Sequence, residues 1–444
     1  MPPPINYEQP LATDVIGELP TESLDFLRNV QANVLKSDGR RCIRLLFFQL
    51  PVDDIKKARD YIASMARRRV STMYSQLSDV STWRAKAVSG RGLASIGLTG
   101  KGMVALGLDS SGQPNDPSFI RGMLNKVDLQ TFGDAVDADG APIEWETAYK
   151  ADEIHGMWLV GDTSAKAVDA LADGIESEGA AFGIKIVARE KGEKRDVEPF
   201  GFRDGLSMPE FFSNGLSEAG NADRAFRKVF PLKCILIFNG DREAAGPLSA
   251  FNGGSYVVFR KLEQHVAQFK KTVARLARER GCTDDDVGAM IVGRRPDGTP
   301  MAEMSGDGRD LNDFNFSADA AGDRCPYQAH IRKANPRDTH FSNIDVIARR
   351  SCVYEQEGKT GLLFMGYVAG IQSGFNAVQG SWINDPNFPQ EAPRDRVGVD
   401  ALIDQSPLRT LKAARPLVDL PAFVTPRGGV YLFIPPMSWF SSLL

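Results

Sequence analysis

One order of elements occurs twice along this chain, and it restricts the fold more than any single residue does. Residues 41–50 form a continuous apolar run bounded by turn formers, the pattern of a buried strand. Pro51-Val52-Asp53-Asp54 then opens a helix expected to reach about Arg69, with aspartate at its start and arginines at its end. Residues 93–98 read as a strand, followed by a short helix after Thr99-Gly100-Lys101-Gly102. Residues 154–160 read as another strand, Thr163-Ser164-Ala165 starts an alanine-rich helix, and residues 182–187 alternate like a strand. Strand-helix-strand, taken twice, is the ferredoxin-like unit.

The second half repeats it. Residues 255–260 form a strand. Residues 262–280 form a helix with apolar positions at Leu262, Val266, Phe269, Val273 and Leu276, three or four apart. Residues 345–354 and 361–368 follow as strands, 374–382 as a helix and 430–434 as the closing strand. The expectation is an α+β protein with two ferredoxin-like domains related by tandem duplication, spanning 1–215 and 216–444, with the boundary between Ser207 and Lys233. The proline-rich opening, to about Thr21, is expected to be a loose arm. Residues 283–337 are too many for a simple connection and are expected to build a site.

Composition narrows the function classes. The 444 residues are 42% hydrophobic and 25% charged, as in ordinary globular proteins. A net charge of −4 gives no support to a nucleic-acid surface. No apolar run is long enough to predict a membrane span, and Met1-Pro2-Pro3-Pro4 lacks the pattern of a secretory leader. The five cysteines are scattered and form no Cys-x-x-Cys pair, which indicates neither a disulfide framework nor a zinc site. A reduced, cytoplasmic protein is the simplest reading, with a secreted mature form kept open.

Imidazole-based metal or haem chemistry must draw on four histidines: His155, His265, His330 and His340. His330 stands out. It lies in Ala329-His330-Ile331-Arg332-Lys333-Ala334-Asn335-Pro336-Arg337, where Asn335 and Pro336 stop a helix quickly and three cations stand close by. Such cations suit the two propionates of a haem. His265 reads as a helix-surface residue, His155 as a core or sheet-edge residue, and His340 as the one rival ligand. Asp204 sits in Gly201-Phe202-Arg203-Asp204-Gly205, either a plain turn or a tight loop pressed on a flat apolar object. Arg349 and Arg350, on a strand, point to opposite faces. The inward one needs a partner, or serves as a fixed cation for developing negative charge.

Taken together, these segments resemble the dye-decolourising (DyP-type) haem peroxidases, and the chain resembles the longer members of that family. Asn29-Val30-Gln31-Ala32-Asn33-Val34-Leu35-Lys36 is similar to the family's opening motif, with Ala32 where glycine is usual. Gly201 to Gly205, Ser255 to Gln264 and Arg427 to Phe433 also match. Two departures stand out: Ser351-Cys352-Val353-Tyr354 replaces Gly-x-Pro-Tyr, and Val430 stands where several members carry glutamate. The resemblance implies a dimeric α+β barrel-like fold with one haem b per chain, held mainly by the C-terminal domain. It implies His330 as axial iron ligand, with Arg332 in the cofactor pocket and Leu362 and Phe364 over the distal haem face. It implies Asp204 as distal acid-base and Arg349 as distal arginine. It also implies an acid behind His330, for which Asp419 is the candidate. Tyr354 and Trp382 are candidates for passing electrons from bulky donors. Hydrogen peroxide and aromatic molecules are then the partners, without nucleic acid or membrane, and a homo-oligomer is compatible. Two alternatives stay open: a haem carrier or haem-processing protein, and a haem-free ferredoxin-like binding module.

Overall fold

The computed structural model describes residues 5–87, 90–109, 112–214, 229–239, 247–302, 311–337, 346–405, 410–411 and 418–444. In the first half, β1 (Cys42–Gln49), the helix Ile55–Arg69, β2 (Leu93–Leu98), β3 (Gly156–Asp162), the helix Ala165–Ala180 and β4 (Lys185–Glu193) follow the expected order. Both helices start where their caps dictate. The Asp54 carboxylate accepts the Lys57 amide at 2.9 Å, and the Ser164 hydroxyl accepts the Ala167 amide at 3.4 Å.

The second half contains β5 (Ser255–Gln264), the helix Val266–Arg280, β6 (Ala348–Arg349), β7 (Cys352–Gln356) and β8 (Lys359–Val368). A π-helix (Ile371–Ile383), a small ribbon of β9 (Thr410–Leu411) and β10 (Val418–Asp419), and β11 (Val424–Ile434) complete it. Two expectations need correction. Leu262 belongs to β5, not to the following helix, because Leu262 pairs with Leu362 on one side and Pro426 on the other. The expected strand 345–354 is broken at Arg350 and Ser351 into two pieces, both of which pair with β8.

The strand order explains how the halves combine. In the first half it runs β2-β3-β1-β4, and in the second (β6, β7)-β8-β5-β11, so each fourth strand lies beside its first. The edges then join across the halves. β4 pairs with β7 at Glu193 and Val353, and β11 pairs with β2 at Phe433 and Leu98. A single barrel closes with no open edge on the ring. Phe47 of β1 and Phe259 of β5 meet inside it, with ring centroids 4.9 Å apart. The expected boundary at 215/216 falls outside the described residues. No helix among the described residues is long and apolar enough to cross a membrane.

The opening segment is not a loose arm where it is described. Leu11 is buried, its amide donates to the Phe211 carbonyl, and the Ser213 amide donates back to the Leu11 carbonyl. Prolines and polar residues there coexist with an apolar anchor and a short run of strand-like pairing.

The barrel interior also holds charge. Lys261 of β5 donates at 2.8 Å to Glu190 of β4 and at 2.8 Å to Glu146, and the Tyr149 hydroxyl donates to Glu190 at 2.8 Å. Lys261 and Glu190 are both buried. Removing one partner of such a pair strands the other, at a cost of about 3–5 kcal/mol. Lys261→Met is therefore expected to lower the urea midpoint by a corresponding amount with an unchanged slope. An unchanged midpoint would show that the pair does not hold the halves together.

Candidate active site

The loop that carries Asp204 is organised by a neighbouring carboxylate to which the sequence alone assigns no role. Glu198 accepts the Phe202 amide at 2.9 Å, the Phe200 amide at 3.0 Å and the Gln264 side-chain amide at 2.7 Å. Burial pushes its carboxyl up, against the pull of those donors. Gly201 and Gly205 take positive φ of 105° and 78°, which side-chain-bearing residues rarely adopt. Phe200 and Phe202 pack on Phe269 of the helix Val266–Arg280, with centroids at 4.6 and 6.1 Å. The two aromatics thus serve plain packing. Asp204, 35% exposed, keeps its carboxylate accessible.

Arg349 comes to the same place from the other half of the chain. Its Nη2 lies 3.5 Å from Asp204 Oδ1, and its side chain is 33% exposed. Arg349 stands opposite Gly366 on β8. Opposed residues share a face, and residues two apart share it too, so Arg349 lies on the face of Leu362 and Phe364. Those two are half-buried, whereas Leu363 and Met365, which alternate with them, are buried in the barrel. The site is therefore on the outside of the barrel wall. Phe364 is flanked by Phe375 of the π-helix at 5.7 Å.

His330 opens the short helix His330–Ala334 and is 22% exposed. Its Nδ1 lies 2.9 Å from Asp400 Oδ2. Asp400 is fully buried, and its other oxygen accepts the Leu402 amide at 2.8 Å and the Ile403 amide at 2.9 Å. The acid behind the imidazole is thus Asp400, not the expected Asp419, which lies exposed on the β9–β10 ribbon. Of the other histidines, His155 accepts the Leu50 amide through Nδ1, and His265 is bonded to Thr425 through Nε2. His340 lies outside the described residues.

The cations beside His330 are not arranged as expected. Arg332 is buried, donates to Asp319 Oδ2 at 3.0 Å and to the Cys325 carbonyl at 2.6 Å, and covers the Tyr327 ring at 3.9 Å. Lys333 is buried and donates to the carbonyls of Asp385 at 2.7 Å and Phe388 at 2.9 Å; burial pulls its ammonium down to about 8. Arg337 donates to Ser207 Oγ at 3.0 Å and to the Asn312 and Phe314 carbonyls at 2.7 and 2.9 Å. All three cations brace the protein around the imidazole. Arg337 does more: Ser207 follows Asp204 by three residues, so the guanidinium ties the histidine segment to the aspartate loop. Arg294 donates to Ser207 Oγ as well, at 3.0 Å. The described part of 283–337, the segment expected to build a site, thus links the histidine segment to the aspartate loop.

Tyr354 is not a surface aromatic. Its side chain is buried with its hydroxyl in the barrel, and Lys261 lies 5.2 Å from its ring. Trp382 is half-buried and stacks on Phe388, with centroids 5.4 Å apart at 11°.

These residues fit a haem. A neutral imidazole whose Nδ1–H is taken by a fixed carboxylate presents its Nε2 lone pair to a metal, and the acid behind it raises its basicity. Leu362 and Phe364 supply a half-buried apolar wall. Beside that wall, Asp204 and Arg349 pair an acceptor with a fixed cation.

Residues 29–196 match the profile of the DyP dimeric alpha+beta barrel domain, and residues 242–392 that of the Dyp-type peroxidase C-terminal domain. The multifunctional dye peroxidase DyP2 of an Amycolatopsis species is 30% identical over 95% of this chain and 97% of its own. Its solved structure superposes with a TM-score of 0.82, covering 99% of this chain and 100% of its own. A DyP-type peroxidase from an Anabaena species superposes at 0.84, with 27% identity over 98% of this chain and 97% of its own. A dye-decolorizing peroxidase solved with 2,6-dimethoxyphenol superposes at 0.78, with 26% identity over 94% of this chain and 98% of its own.

Proposed function

The chain belongs to the DyP-type peroxidase family and is an oxidoreductase that reduces hydrogen peroxide while oxidising dyes and phenols, and we propose that it works with one haem b per chain, held through His330, with Asp204 and Arg349 acting on the peroxide. The observation that carries this reading is the meeting of Arg349 with Asp204 at 3.5 Å, two groups from different halves of the chain.

When bound, haem supplies the iron that takes peroxide and holds the two oxidising equivalents left by O–O cleavage. Everything else falls to the side chains. His330 would hold the iron through Nε2 while its Nδ1–H rests on Asp400. Asp204 takes the proton from one peroxide oxygen and returns it to the other, which leaves as water. Arg349 cannot move protons; its N–H groups stabilise the negative charge that develops as the bond breaks. Leu362 and Phe364 keep the wall apolar and limit water. In solution, a Soret band that changes on adding peroxide, with turnover of a dye, is the expected result. A Soret band without turnover would point to a haem carrier, and no band to a haem-free binding module.

Any donor too bulky to reach Asp204 and Arg349 must send its electrons across the protein. Trp382 is the candidate, stacked on Phe388, whose carbonyl holds Lys333 of the His330 helix. Trp382→Phe is expected to lower bulky-dye turnover and leave the first peroxide step alone. Tyr354→Phe, at a buried position, is expected to change neither. Unchanged dye turnover in Trp382→Phe would remove the tryptophan from the route.

A further inference from the structure

Arg349 has a single partner among the described residues, Asp204, and that contact is long at 3.5 Å. A long, a third exposed side chain with so little to hold it takes its position from its backbone. That backbone is fixed on both sides of the peptide that follows it. The Arg349 carbonyl accepts from Arg350 Nη1 at 3.0 Å, and the Arg350 amide donates to the Met365 carbonyl at 2.7 Å. Both polar groups of the peptide that joins the two arginines are therefore taken.

The guanidinium that does this is itself held by the opening motif. Arg350, 4% exposed, donates from Nε to the Asn33 carbonyl at 2.9 Å and from Nη2 to the Val34 carbonyl at 3.1 Å. Its hydrogen bonds among the described residues all go to carbonyl oxygens. A buried cation that hydrogen-bonds no carboxylate, with Asp38 acting on it only through its charge, is costly to keep, so a packing role alone would be served better by an apolar side chain. Asn33 adopts a left-handed φ of 69°, and its amide donates to Gln76 Oε1 at 2.7 Å. Its side-chain oxygen accepts the Asp38 amide at 3.3 Å. The two carbonyls that receive the guanidinium thus sit on a turn that is pinned in its own right.

We propose that Arg350 is a positioning residue for the reaction: clamped on the Asn33 and Val34 carbonyls, it fixes the peptide from which Arg349 reaches the peroxide. The opening motif is then part of the active-site machinery, although it contributes no group that touches substrate. This inference rests on the role given to Arg349 above.

Arg350→Met keeps the stem and removes every donor, and Arg350→Lys keeps the charge with fewer donors. Gln76→Ala loosens the Asn33 turn without touching either arginine. For haem-loaded Arg350→Met, the rate of the peroxide-induced spectral change per haem should fall on the order of tenfold or more, as for a displaced catalytic group. Cyanide affinity should fall with it. Arg350→Lys and Gln76→Ala should lie between this variant and the wild type. The iron–histidine stretching frequency should stay in place, because His330 is not involved. Lower thermal stability or haem content with wild-type rates and cyanide affinity per haem would overturn the inference. If Arg350→Met does not fold, wild-type values in both other variants would do the same. Arg349→Leu is run in parallel. Should it also react at the wild-type rate, the catalytic reading of Arg349 fails; should it be slow while the Arg350 and Gln76 variants are normal, only the clamp fails.

Discussion

His330→Ala should fold into the barrel and fail to retain haem. The substituted side chain is the one imidazole among the described residues whose Nδ1 rests on a buried, doubly capped carboxylate and whose Nε2 has no protein partner. His155 and His265 spend a ring nitrogen on Leu50 and Thr425. Haem content by the pyridine haemochrome assay should drop to the background of non-specific binding, and the Soret band with it. Far-UV circular dichroism should remain that of the wild type. Added imidazole should restore part of the band, since a small exogenous base can enter the space the side chain vacates. Asp400→Asn is the graded companion. It keeps the shape but removes the negative charge behind the imidazole, and losses of that kind run to about 10–100-fold in metal affinity. A lowered iron–histidine stretching frequency should accompany it. If His330→Ala keeps its haem with an unchanged spectrum, the ligand is another group, with His340 first in line.

The residues differ sharply in how legible they were. Strands β1, β2 and β8 could be read from apolar runs and turn formers, and the helix starts from Asp54 and Ser164, because those signals are local. The repeated strand-helix-strand order pointed to two similar units. It carried no information that the fourth strand of each unit pairs with the second strand of the other, since edge pairing leaves no period in the sequence. Leu262 misled for a related reason. Its spacing from Val266 and Phe269 suits a helix, yet Leu362 and Pro426 hold it in the sheet.

Within the candidate site, short motifs with glycine, proline and paired arginine singled out His330, Asp204 and Arg349, and the family resemblance supplied the roles proposed for them. Asp400 was not. It lies 70 residues from His330, in a stretch without helix or strand, and its nearest signal is that it caps Leu402 and Ile403, which any turn aspartate does. Asp419 was preferred on position alone. Arg332 and Lys333 looked like anion binders because sequence shows charge and hides partners; Asp319, Cys325, Asp385 and Phe388 become visible as their acceptors only once the chain is folded.

Asp204→Asn and Arg349→Leu should both slow the reaction with peroxide, and in ways that separate their roles. Arg349 supplies donors to developing negative charge and cannot release a proton in the working range. Losing one such donor typically costs on the order of 10²–10³ in rate. The loss in Arg349→Leu should therefore hold at every pH where the wild type works, leaving the shape of the profile intact. Asp204→Asn keeps the size and the ability to accept the Gly205 amide, which now lies 2.7 Å from Asp204 Oδ1, but it cannot take a proton. Water or a buffer base must substitute, so both the rate and its pH dependence should change, and added small bases should help this variant and not the other. A carboxylate base also carries activity into mildly acidic solution, where a histidine in the same role would already be protonated. The wild type should thus react with peroxide well below neutrality, and Asp204→Asn should lose most there. The measurement is stopped-flow recording of the peroxide-induced spectral change against pH for all three proteins. If Asp204→Asn reproduces the wild-type rate and profile while Arg349→Leu is slow, the arginine alone drives O–O cleavage, and the 3.5 Å contact between the two side chains serves only to hold the guanidinium in place.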